Sequence, residues 1–135
     1  MGQIRKSNHG YLREVDLRYD TAVLRVTEAL KAQGFGILTE INVKETLKKN
    51  LDKDFTPYVI LGACNPNLAF QALSAETDIG LLLPCNVIVY ENPAGGRTVI
   101  GVPDAETMVQ LTSRKDIEPV ARQARERVAA ALEAV

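Results

Sequence analysis

The sequence predicts an α+β domain: a mostly antiparallel sheet of about five strands, with helices packed mainly on one face. Three observations carry that prediction. Apolar and polar residues alternate at 11–17, and again on both sides of the turn-rich segment "NPAGG", which reads as a hairpin. Apolar residues recur at helical spacing at 21–33, at 66–74 and from Ile117 onward. Strands linked partly by hairpins and partly by helices favour α+β over a doubly wound parallel sheet.

Each element has a local reason. The first strand is expected at 11–17. Asp20 then reads as the N-cap of a helix from Thr21 to about Gln33, with Val23, Val26 and Leu30 on its apolar stripe and Gly34 just past its end. "FGILTEI" is a second strand. "NVKE" resembles a capping box, with Asn42 as cap and Glu45 three residues on, so a short lysine-rich surface helix follows. Pro57 opens a third strand, 58–63. Asn65 and Pro66 form a cap and first position for a helix to about Ser74, burying Leu68, Ala69, Ala72 and Leu73. Strands at 86–91 and 97–102 flank "NPAGG". Asp104 caps a further helical segment, "SRKD" interrupts it, and a last helix buries Ile117, Val120, Ala121, Ala124, Val128 and Leu132.

Composition bounds the function. At 135 residues and 46 % hydrophobic content, residues 1–135 are expected to fold as one domain whose core needs no metal or disulfide. Sixteen Lys and Arg against 17 Asp and Glu give a net charge of -1, which disfavours nucleic acid as a main partner. The basic run Arg114, Lys115, Arg122, Arg125 and Arg127 is diluted by Glu118, Glu126 and Glu133 and reads as a solvated helix face. No secretory segment and no apolar run long enough to span a bilayer is legible, so a cytoplasmic protein with reduced thiols is expected. His9, the sole histidine, is expected in a mobile N-terminus, away from any thiol.

The two cysteines are where chemistry concentrates. Each precedes an asparagine and lies next to or near a proline, in "YVILGACNP" and "LLLPCNVIVY". Cys64 lies just before the helix at Pro66, where free N–H groups favour an anionic group, a thiolate or a bound carboxylate. Cys85 lies at a strand entrance behind Pro84. Alternation puts Cys85, Val87 and Val89 on one face and Asn86, Ile88 and Tyr90 on the other; it groups Tyr58, Ile60, Gly62 and Cys64. The spacing is neither a C-x-x-C nor a four-ligand zinc pattern, and "NPAGG" lacks the lysine and helix of a P-loop. No metal or cofactor is expected. If the strands 58–63 and 85–91 run antiparallel, both Cys-Asn pairs meet at one rim and line one cleft.

The phrases around Cys64-Asn65-Pro66 and Pro84-Cys85-Asn86 resemble the uncharacterised bacterial and archaeal family called domain of unknown function 302, from about Tyr11 to about Leu132. The resemblance implies a compact fold similar to the β-α-β arrangement of the TATA-box-binding protein, and a homodimer. It implies no activity, so the catalytic residues are unknown and whether the protein is an enzyme stays open. Three functions follow from the residues. The first is a small-ligand or anion-binding module lined by Cys64, Asn65, Pro66, Cys85 and Asn86. The second is a thiol-dependent enzyme or sulfur carrier using Cys64 with Cys85. The third is a structural or interaction protein with inert cysteines.

Overall fold

The computed structural model describes residues 2–112 and 115–135. Six strands form one antiparallel sheet: β1 (Ile4–Lys6), β2 (Gly10–Val15), β3 (Gly36–Asn42), β4 (Tyr58–Cys64), β5 (Cys85–Glu91) and β6 (Thr98–Pro103), in the order β1-β2-β6-β5-β4-β3. The helices are α1 (Tyr19–Ala32), α2 (Val43–Leu51), α3 (Pro66–Ala75), α4 (Thr107–Thr112) and α5 (Glu118–Ala134), with 3-10 turns at Thr77–Leu82 and Lys115–Ile117. The expected break at "SRKD" falls partly on Ser113 and Arg114, outside the described residues.

One strand exceeds the expectation. Residues 4–6 pair with β2, Ile4 facing Arg13, so the N-terminal stretch belongs to the sheet. The turn explains it: the Ser7 hydroxyl oxygen accepts the N–H groups of His9 and Gly10, both at 3.2 Å, folding the chain back on itself. His9 sits in that turn.

α1 starts before Asp20, not after it. Arg18 holds the N-cap position without a side-chain bond, and Asp20 lies within the first turn, where a carboxylate still favours the helix N-terminus. The buried stripe is accordingly Ala22, Val26 and Leu30, with Val23 half-buried. The other end is as expected. Gly34 takes φ 85°, its N–H donates to the Lys31 carbonyl, and the Phe35 N–H donates to the Leu30 carbonyl at 2.9 Å. Those two bonds close a Schellman motif. Asn42 caps α2 through Oδ1, which accepts the Glu45 N–H at 3.1 Å. The expected hairpin forms, Tyr90 facing Val99 and Glu91 facing Thr98 across a turn with Gly96 at φ 67°.

The main core lies on one sheet face. Val59, Leu61, Ala63, Val87, Val89, Ile100 and Val102 pack there against Val26 and Leu30 of α1, Leu68 of α3, and Val128 and Leu132 of α5. These are the alternate residues of β4, β5 and β6, as a half-buried pleated strand requires. Arg13 of β2 ties down the end of α5: its Nη1 donates to the carbonyls of Leu132 and Glu133 at 2.8 and 2.9 Å. Those carbonyls have no partner within the helix.

Candidate functional site

The β4–β5 register decides where the cysteines go. Ala63 faces Cys85 and Gly62 faces Asn86, because the strands run antiparallel. Facing Cα atoms lie about 5 Å apart and Cys64 is one residue further, so the two cysteine Cα atoms lie within about 9 Å of each other. Alternation alone assigns Cys64 to the face opposite Cys85. Cys64 is the last residue of β4, however, and the chain turns there into Asn65. Both cysteines line one cleft.

That cleft has a volume of about 360 Å³. Phe35 with Leu38 and Thr39 of β3 form one wall, Leu68, Ala69, Ala72 and Leu73 of α3 another, and Ile117 with Val120, Ala121 and Ala124 of α5 the third. Its polar groups are confined to Thr39 and the cysteine end: Cys64, Asn65 and Cys85. Lys, Arg, Asp, Glu and His are all absent from the described lining. Gly36, which faces Cys64 across the strands, leaves open space where a Cβ would lie.

Local structure fixes the polar end. Asn65 is buried, and its Oδ1 accepts the Leu68 N–H at 3.2 Å, so its first role is to cap α3. Its Nδ2 lies 2.9 Å from where a Cβ on Gly34 would sit, so the end of α1 and the start of α3 interlock there. Gly62 is closed over by Thr39 and Pro84, which pins the rim between β3 and β5. Cys85 is buried, and Cys64 is half-exposed; neither is in a disulfide. Burial, with a smaller contribution from nearby Cys64, pushes the Cys85 thiol up to about 11, so at neutral pH it is a protonated thiol.

The remaining motif residues lie elsewhere. Asn86 is exposed on the opposite sheet face, beside Ile88 and Gly101. Pro66 is exposed at the first position of α3 and does not line the cleft. The apolar walls were missed by reading motifs. Leu73, expected to be buried, is 37 % exposed at the cleft. Leu38 sits at a register shift between Ile37 and Thr39, which no local pattern announces. Among the described residues no three His, Cys, Asp or Glu side chains gather to hold a metal ion. No helix among them is long and apolar enough to cross a membrane.

A family model described as "Domain of unknown function DUF302" matches residues 11–135. The chain belongs to the DUF302 family. Among solved structures, this DUF302 chain is similar to the crystal structure of an uncharacterized conserved DUF302 protein from Bacillus stearothermophilus. The two share 33 % identity, with a TM-score of 0.86 over 94 % of this chain and 98 % of that one. The search of curated proteins found no match. Both cysteine motifs fall within the span matched to DUF302.

Proposed function

We propose that this DUF302 domain is a small-molecule-binding module whose cleft takes a neutral, largely apolar ligand with one polar end. The observation that carries this is the lining: apolar side chains on three walls, with most of the polar groups gathered where Cys64, Asn65 and Cys85 meet. Ligand sites are commonly apolar concavities of about 300 to 1,000 Å³ with a few convergent polar groups. An anionic ligand, the other form of this reading, finds no cationic side chain among the described lining residues, and the cap already engages the Leu68 N–H. That balance favours a neutral molecule.

A pair of fluorescent probes tests it. N-phenyl-1-naphthylamine is neutral; 1-anilinonaphthalene-8-sulfonate is its anionic relative. The neutral probe is expected to bind saturably at one site and the sulfonate far more weakly. Ala69→Trp, which fills the cleft from α3, is expected to abolish binding while leaving the far-UV spectrum intact. Absence of saturable binding, or binding unchanged by Ala69→Trp, overturns the reading.

The second reading, thiol chemistry at Cys64 with Cys85 as its partner, draws on the placement of both thiols in the same cleft. Cys85, buried and protonated, is a poor nucleophile at neutral pH, so Cys64 is the attacking group in that scheme. Cys64→Ser separates the two readings: probe binding survives it, and thiol chemistry does not.

A further inference from the structure

We propose that the cysteine end of the cleft binds one soft, two-coordinate cation, Cu(I), held between the sulfurs of Cys64 and Cys85 of a single chain. The inference stands on the two thiols and not on a small molecule filling the apolar remainder of the cleft. Two cysteines are all the chain has, and the pairing of β4 with β5 brings both to one cavity. They are close enough that charge on Cys64 bears on the Cys85 thiol, and neither is in a disulfide.

The ligand set selects the ion. Thiolates are soft donors and favour soft metals. Structural zinc sites and iron–sulfur clusters take four protein ligands. Among the described lining residues Cys64 and Cys85 have no carboxylate or imidazole beside them. Two sulfurs alone make a linear set, which Cu(I) accepts because its filled d shell imposes no higher coordination. The span fits as well. A disulfide joins Cα atoms up to about 7 Å apart. An ion between the sulfurs replaces one bond of about 2 Å with two of about 2.3 Å, adding roughly 2.5 Å to that reach. The bridge therefore covers the Cα separations, up to about 9 Å, that the β4–β5 register allows.

The surroundings provide entry on one side and shelter on the other. Cys64 is half-exposed, and Gly36 facing it leaves open space, so an ion can arrive there. Cys85 is buried, and the apolar walls limit the access of water and oxidants to the ion. Binding sends both thiol protons to solvent and leaves a complex with one negative charge. Cys64 lies two residues before Pro66, where the ten-residue α3 begins, and a helix N-terminus favours such a charge.

Anaerobic titration of the reduced chain with Cu(I), read by native mass spectrometry and by competition with bicinchoninate, tests the site. One ion per chain is expected, and Zn(II) should not compete. X-ray absorption at the copper edge is expected to report two sulfur neighbours and no nitrogen or oxygen. Cys64→Ser, at a half-exposed position, should keep its far-UV spectrum and lose more than about 100-fold in affinity, beyond the cost of removing a residue that merely supports a ligand. Asn86→Ala, on the opposite sheet face, should bind as wild type does. The proposal is overturned by no stoichiometric binding, by one ion shared between two chains, or by a third ligand in the absorption spectrum. Binding that survives Cys64→Ser, is lost in Asn86→Ala or yields to Zn(II) overturns it too. Probe binding is read separately: a chain that binds Cu(I) but no neutral probe refutes the ligand reading alone, and one that binds the probe but no Cu(I) refutes the ion site alone.

Discussion

Cys85 and Cys64 differ in what surrounds them, and the difference has two measurable consequences. Cys85 is held protonated by burial, up to about 11, against an ordinary thiol near 9. The unfolded chain therefore loses this proton at lower pH than the folded one. Stability from this group is fully present below about pH 9 and falls as pH rises toward 11, by about 1.4 kcal/mol per pH unit in that window. Urea unfolding of wild type and Cys85→Ala at several pH values checks it: the wild-type curve should fall more steeply above pH 9, and equal slopes refute the assignment. Exposure predicts the second. Iodoacetamide at neutral pH should label half-exposed Cys64 well before buried Cys85. Mass spectrometry of Cys64→Ala and Cys85→Ala resolves the two, and equal rates count against the described burial.

At the scale of elements, the junction of α1, α3 and β4 rests on two residues. Asn65 caps α3, and replacing a capping asparagine with alanine costs about 1 kcal/mol. Gly34 combines φ 85° with close approach to the Asn65 side chain. Gly34→Ala should cost at least about 1 kcal/mol from the backbone alone, because a Cβ is disfavoured in the left-handed region. The two residues touch, so their effects should not add. A double-mutant cycle by chemical denaturation measures that coupling, and strict additivity contradicts the interlock.

At the scale of the whole molecule, Arg13 links the second strand to the last helix, 119 residues away in sequence. One guanidinium replaces missing partners for the carbonyls of Leu132 and Glu133, and its Nη1 lies 3.3 Å from that of Val135. Arg13→Ala should lower stability by about 1 to 2 kcal/mol, the range for bonds to a charged group that is only half-buried. Arg13→Lys should restore only part of it, since an ammonium that serves the α5 carbonyls has no second nitrogen for the Gly2 carbonyl, to which the Arg13 Nε donates at 3.2 Å. Thermal unfolding of both variants decides between this clamp and a merely solvated arginine.

The sequence by itself determined what depends on near neighbours. Alternation in β4 and β5, the caps at Asn42 and Asn65, the Gly34 stop and the hairpin around Gly96 are all set by residues within a few positions of one another. Alternation even separated Cys85 from Asn86, which the structure places on opposite faces. Tertiary structure decided the rest. Strand β1 exists because β2 offers it an edge, since three residues with two charges carry no period of their own. α1 starts at Tyr19 rather than Thr21, with Arg18 rather than Asp20 at the cap position, and its Ala22 is buried in the core against the sheet. The cleft belongs to this second class: its walls come from β3, α3 and α5, far apart in the chain, and which apolar side chains stay uncovered depends on how two helices and a sheet edge fail to close. Pattern within one segment reports that a residue is apolar; only packing between segments decides whether it is core or lines a cleft.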